Sequence, residues 1–161
     1  MAIAEYKPIE PKYDPAVAQL VRTNLKAHGL DIPGTVYFDE ALDHLSDFYA
    51  PLNRAYYVLL SEGIVAGGIG LAEFNGFPGC CELQKLYLDD PFKGHGLGYE
   101  MIAFIEKKAI EMGYKQIYLE THTNLQTAIH IYEKSGYTQI KKPDCVVHGA
   151  MNRFYIKRLS V

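Results

Sequence analysis

The sequence predicts one mixed α/β (α+β) domain, with a mostly antiparallel sheet and helices on both faces, and three observations carry that reading. Segments of strand-like and helix-like periodicity follow one another in the order βααβββαβαββ. Three strands come in direct succession around tight, glycine-containing turns, which is an antiparallel arrangement. A glycine-rich loop then opens an amphipathic helix, after which strand and helix alternate.

Ala4 to Ile9 reads as the first strand. Asp14 followed by Pro15 is an N-cap with proline at the first helical position, and Val17, Leu20, Val21, Leu25 and His28 recur at helical spacing until Gly29 ends the run. Asp39 caps a short second helix with the stripe Leu42, Leu45 and Tyr49, stopped by Pro51. Arg54 to Leu60 and Ile64 to Phe74 form a hairpin around Ser61, Glu62 and Gly63. Cys80 to Leu88 is the next strand. The helix after the glycine loop carries Leu97, Met101, Phe104, Ile105 and Met112 and closes at Gly113. Lys115 to Thr121 is strand, Leu125 to Ser135 is helix with Gly136 as its stop, and Tyr137 to Ile140 and Met151 to Leu159 are the last strands.

The chain has 161 residues, 48% hydrophobic and 22% charged, without repeats or a Pro/Ser-rich linker, so residues 1–161 are expected to form a single domain. Sixteen Lys plus Arg against nineteen Asp plus Glu leave a net charge of −3, which gives no field to concentrate nucleic acid or an anionic membrane. No stretch approaches the length that spans a bilayer, and a soluble, cytoplasmic protein is expected, with a homodimer compatible with the sequence. Three cysteines cannot all pair and lack metal-ligand spacing, so reduced thiols and no metal are expected. Cys81, on a strand, reads as buried rather than nucleophilic.

The segment Lys93, Gly94, His95, Gly96, Leu97, Gly98, Tyr99 lies between a strand and a helix N-terminus. Glycines at alternate positions let successive N–H groups converge, and the helix end adds a positive dipole, so a pyrophosphate fits there. A Walker-type loop would need Gly-Lys followed by Ser or Thr, and this one ends Gly98, Tyr99, which excludes nucleotide hydrolysis by that device. A dinucleotide-binding fold is the weaker competitor. Glu120 sits where a ribose-binding acid would, but the glycine spacing is one position short and no βαβ unit precedes the loop.

Cys81 to Tyr137 resembles the GNAT superfamily of N-acetyltransferases. The resemblance rests on the glycine segment with Lys93 where the family has Arg or Gln, on Glu82 to Pro91 as the strand and loop before it, and on Ala128 to Tyr137, a helix carrying Tyr132 and ending in Gly136 and an aromatic. It implies acetyl-CoA as co-substrate, an amine acceptor, and pyrophosphate on Lys93, Gly94, His95, Gly96, Leu97, Gly98 and Tyr99. It further implies that Leu86, Tyr87 and Leu88 follow the pantetheine, with the Leu88 amide as oxyanion donor, and that Leu125 and Ala128 line the same path. Lysine keeps the charge of the family residue but loses its bidentate fork. The family's pantetheine-contacting Asn falls on Leu125, leaving Asn124 as either the helix N-cap or a displaced cofactor contact.

The same resemblance implies that Tyr132 is the general acid for the leaving thiolate and Glu82 the general base, with Gln84, Leu86 and Leu88 on its strand face. His122, at the end of the next strand, is the alternative base, and water a third route. His28, His44, His130 and His148 read as structural or solvated, and fold analogy places Tyr13, Tyr37, Phe38 and Glu73 near the acceptor. A protein that binds acyl-CoA without turning it over is the alternative from another class.

Overall fold

In the computed structural model, which describes residues 4–146 and 149–160, seven strands form one sheet in the order β1-β2-β3-β4-β5-β7-β6. The strands are β1 (Ala4–Pro8), β2 (Ala55–Ser61), β3 (Ile64–Phe74), β4 (Cys80–Leu88), β5 (Gln116–Thr121), β6 (Thr138–Ile140) and β7 (Arg153–Arg158). The helices are α1 (Asp14–Ala27), α2 (Leu45–Phe48), α3 (Leu97–Glu111) and α4 (Gln126–Lys134), so the expected element order holds. Every strand pairing is antiparallel except that of β4 with β5.

Alternation along the strands sends side chains to two cores. Leu59, Ile69, Leu71, Cys81 and Leu83 pack with Met101, Ile102 and Ile105 of α3 and Tyr132 of α4. Val58, Leu60 and Tyr56 pack with Val17, Val21 and Leu25 of α1 and Leu45 of α2 on the other face. Each such buried aliphatic side chain contributes about 1.5–3 kcal/mol relative to exposure, which is what holds both helical layers to the sheet.

Two local expectations are corrected. Asp14 does not cap α1; its carboxylate accepts from the Ser46 backbone N–H (2.9 Å) and hydroxyl (2.5 Å), tying α1 to α2. The second helix begins as a 3-10 turn, Glu40–His44, capped as expected by Asp39, and only Leu45–Phe48 is α-helical. Leu42, Leu45 and Tyr49 are buried, so the apolar stripe holds although the winding differs.

A bulge in β4 changes which residues share a face. Gly68 pairs with Tyr87 and Gly70 with Gln84, so Lys85 and Leu86 together oppose Ile69 alone. Lys85 takes up the extra residue with φ 52°, a left-handed conformation. The ring of Tyr56 lies over Gly68 and Gly70, where an added Cβ would collide with it at 2.3 and 2.5 Å, and its hydroxyl donates to the Lys85 carbonyl (2.8 Å). Leu86 and Leu88 therefore pack with the α3 and α4 core beside Leu83, whereas Tyr87 packs with the α1 core. Glu82 and Gln84 do not share a face with Leu86 and Leu88, contrary to the simple alternation.

Candidate active site

The site exists because β4 and β5 part. Their parallel pairing covers only Cys80, Cys81 and Glu82 against Gln116, Ile117 and Tyr118. Beyond that the strands splay, and a cleft of about 680 Å³ opens between them and runs to the N-terminus of α3 and the flank of α4. Crossover helices cover this face, so the gap becomes a walled slot rather than a sheet edge open to another chain.

The far end of the slot is the glycine loop. A 3-10 turn, Asp90–Phe92, leads into it, and Gly94 (φ 81°) and Gly96 (φ 79°) adopt the left-handed conformation that other residues rarely take. An added Cβ at either would meet nothing within 4 Å, so backbone conformation and not space requires glycine there. Gly98 is different: its Cβ would lie 3.0 Å from the Ile131 side chain, and its absence lets α3 approach α4. Lys93, Gly94, Gly96, Leu97, Gly98 and Tyr99 line the cleft, while His95 is exposed outside it. Lys93 Nζ pairs with Asp90 (2.8 Å) and donates to Asn24 Oδ1 (2.9 Å), which holds its ammonium at the mouth.

Along the middle run Leu86, Tyr87 and Leu88 on one side and Leu125, Ala128 and Tyr132 on the other. Asp89 donates to Ala66 across the strand pair (2.8 Å), so Leu88, opposite Gly67, turns its own N–H and C=O away from β3 toward the gap. Its carbonyl accepts from Asn24 Nδ2 (3.2 Å); its N–H faces the side that β5 has left. Tyr132 is 6% exposed, lines the cleft, and its hydroxyl has no hydrogen-bond partner among the described residues. Burial pushes its pKa up, so it stays protonated in the neutral range.

The inner end is polar. Glu82 is pushed up to about 7, chiefly by burial, with the Glu120 carboxylate adding to the rise and the Gln84 hydrogen bond and Lys85 opposing it. Gln84 Nε2 donates to Glu82 (3.0 Å), the Tyr49 hydroxyl donates to Gln84 Oε1 (2.7 Å), and Lys85 Nζ donates to that hydroxyl (3.3 Å). Glu82 neighbours Tyr118 in the parallel register, and the Tyr118 hydroxyl donates to Glu120 Oε2 (2.8 Å). Lys85 and Glu120 line the cleft; Glu82 lies behind them where the strands part.

Several expected residues stand elsewhere. His122 does not line the cleft, and its Nδ1 accepts from the Asn124 N–H (3.0 Å). Asn124 neither caps α4, whose N-cap position is Leu125, nor lines the cleft; its Nδ2 donates to the His28 carbonyl (2.9 Å) at the end of α1. Tyr13, Tyr37, Phe38 and Glu73 line no part of the cleft, and Glu73 is paired with Arg54 (2.6 Å). His148 lies outside the described residues. Burial lifts Cys80 and Cys81 to about 12, so neither supplies a thiolate. Among the described residues no group of three or more His, Cys, Asp or Glu is placed to hold a metal ion, and no helix is long and apolar enough to cross a membrane.

Other site residues are ones the sequence reading missed. Asn24 joins α1, the end of β4 and the glycine loop through three hydrogen bonds, and His28, His130, Thr121 and Met151 also line the cleft. Helical spacing puts Asn24 on the buried stripe with Val17, Leu20 and Val21, and a polar residue at such a position is the available signal.

The profile of the acetyltransferase (GNAT) family matches residues 23–137, a span that contains the glycine loop, the splay and Tyr132. The chain belongs to that family. The protein named Uncharacterized N-acetyltransferase YjgM of Escherichia coli K12 is 37% identical over 129 residues, 79% of this chain and 77% of the relative. Among solved structures, the GNAT-family acetyltransferase of Staphylococcus aureus Mu50 superposes with a TM-score of 0.84 at 17% identity, covering 98% of this chain and 100% of that one. The PaiA N-acetyltransferase of Thermoplasma acidophilum, solved in complex with coenzyme A, gives 0.74 at 14% identity, covering 97% and 99%. The mixed, mostly antiparallel seven-stranded sheet flanked by helices is thus the fold this GNAT chain shares with the solved acetyltransferases.

Proposed function

We propose that the protein transfers the acetyl group of acetyl-CoA to an amine by direct attack within a ternary complex. The observation that carries this reading is the slot between β4 and β5, which joins an anion cradle, a backbone N–H turned away from β3 and a phenol without a hydrogen-bond partner among the described residues, with the Glu82 carboxyl beside its inner end but not lining it. Family membership and the coenzyme A complex of the PaiA relative support the same assignment.

Acetyl-CoA supplies the thioester. The loop from Gly94 to Tyr99 and the α3 N-terminus receive the pyrophosphate through backbone N–H groups, and the apolar walls of Leu86, Leu88, Leu125 and Ala128 exclude water from the pantetheine path. The Leu88 N–H is directed to the slot, where it stabilises negative charge developing on the acetyl oxygen. Glu82, directly or through one water, takes a proton from the acceptor amine, a task suited to a carboxyl near 7. Tyr132, kept protonated by burial, gives a proton to the departing sulfur. With Cys80 and Cys81 held as thiols, no covalent acyl-enzyme on either is invoked.

The test is release of free thiol from acetyl-CoA across a panel of primary amines, with acetylated product identified by mass. Amine-dependent release is expected. Tight acetyl-CoA binding with no release for any amine would contradict the proposal and leave an acyl-CoA-binding module.

A further inference from the structure

Lys85 is a charged cleft residue that the acetyl-transfer steps leave unused. It sits on the β4 bulge, lines the cleft, and yet makes no ion pair among the described residues. Its ammonium donates to one phenol, Tyr49 (3.3 Å), and rests near the rings of Phe48 (5.4 Å) and Tyr49 (5.6 Å). An ammonium has three protons to place, and a cation in a protein wall is costly unless an anion or several acceptors meet it. Burial pulls its pKa down, while the Glu82 and Asp39 carboxylates pull it back toward the charged form.

We propose that the amine acceptor also carries a carboxylate, as an amino acid does, and that Lys85 binds that carboxylate while the amine faces Glu82 and Glu120. This rests on the acetyl-transfer reading and adds to it the class of acceptor. Cation and carboxylates sit at one end of the slot: Lys85 and Glu120 line it, and Glu82 is joined to Lys85 by the chain through Gln84 and Tyr49. A dicationic acceptor would set its second charge against Lys85, and an amine without a carboxylate would leave that ammonium without a direct ion-pair partner. A doubly charged phosphate suits the site less, because the Glu82 and Asp39 carboxylates already act on the lysine and Glu120 lines the same cleft. The bulge fixes the arrangement, since Tyr56 holds the Lys85 carbonyl and the left-handed backbone turns its side chain out of strand alternation.

The experiment measures thiol release with matched acceptors: free amino acids and ω-amino acids, their amides, and the decarboxylated amines. A charge-assisted hydrogen bond is worth roughly ten- to a hundred-fold, so the best free acid should exceed its amide at least ten-fold in kcat/KM. Lys85→Met, also unbranched and so no worse in the left-handed backbone, should collapse that ratio to within about three-fold, and Lys85→Arg should restore most of it. Acetyl-CoA binding by each variant checks that the fold is intact. An amide or decarboxylated amine that matches the free acid in the parent overturns the inference, as does a ratio that survives Lys85→Met, and both leave acetyl transfer standing. No amine-dependent release with any acceptor overturns acetyl transfer itself.

Discussion

The two ends of the cleft are built on different principles. The outer end, from the glycine loop along Leu86 to Leu88 and α4, is apolar and offers mainly backbone groups: helix-terminal N–H groups and the turned-out Leu88 amide between aliphatic walls. The inner end offers side chains: Lys85 and Glu120 line it, backed by Glu82, Gln84, Tyr49 and Tyr118 in two hydrogen-bonded strings. Backbone recognition suits a co-substrate with one fixed shape, because glycine and a helix end can be supplied by many sequences. Side-chain recognition suits a partner whose identity must be distinguished, since buried charges penalise the wrong one.

The largest effect we expect at the junction of the two ends comes from Tyr132→Phe. Ring and buried area are kept, so a purely packing role predicts turnover and stability near the parent's. As a general acid, Tyr132 predicts a fall in kcat of at least about ten-fold with acetyl-CoA affinity within a few-fold. Turnover within two-fold of the parent, on the best acceptor and with chemistry limiting, would return Tyr132 to the core.

The outer end alone is tested by Gly96→Val. A β-branched residue cannot hold a φ near 79° without strain, so the loop must move even though no neighbour blocks the side chain. Acetyl-CoA should bind about ten-fold more weakly by calorimetry, with circular dichroism nearly unchanged. Unaltered affinity would move the pyrophosphate elsewhere.

The smallest effect concerns the inner end and is one of stability. The Glu82 carboxyl rises from an ordinary 4.5 to about 7 on folding, so the folded chain holds that proton more tightly than the unfolded one. The sign follows: Glu82 costs nothing below about 4.5, its cost grows as pH rises through that window, and it is complete above 7. Glu82→Gln should therefore stabilise the protein at pH 8 by on the order of 1–3 kcal/mol and by less at pH 5, read as Tm. A gain equal at both values would show that the carboxyl is not desolvated.

This contrast also explains what the sequence could reveal. Lys93 to Tyr99 is contiguous and Leu125, Ala128 and Tyr132 repeat at helical spacing, so the outer end and the element order were legible from local pattern. The inner end was not, because its residues come from β4, β5 and the chain after α2 and meet only through the splay and the bulge. Strand alternation put Glu82 with Leu86 and Leu88, and one extra residue at Lys85 reversed that. Glu82 stands out as an acid on an apolar strand, whereas Lys85, three residues on, carried no signal of its own in the sequence. His122 and Asn124 were placed near the site by position, but their side chains are occupied by each other's turn and by the end of α1.

The measurement that bears most directly on the account is the pH dependence of kcat/KM for the parent and Glu82→Gln with the same amine. A base must be deprotonated to act, so the parent should lose activity as pH falls through about 7. The acceptor's own ionisation adds an identical limb to both proteins, and the difference between the profiles isolates Glu82. We expect the variant to be slower by about a hundred-fold or more at pH 8 and to lack the limb near 7. A variant that keeps that limb and a rate within a few-fold of the parent would contradict the assignment of Glu82 and, with it, the division of the cleft into a backbone end and a side-chain end.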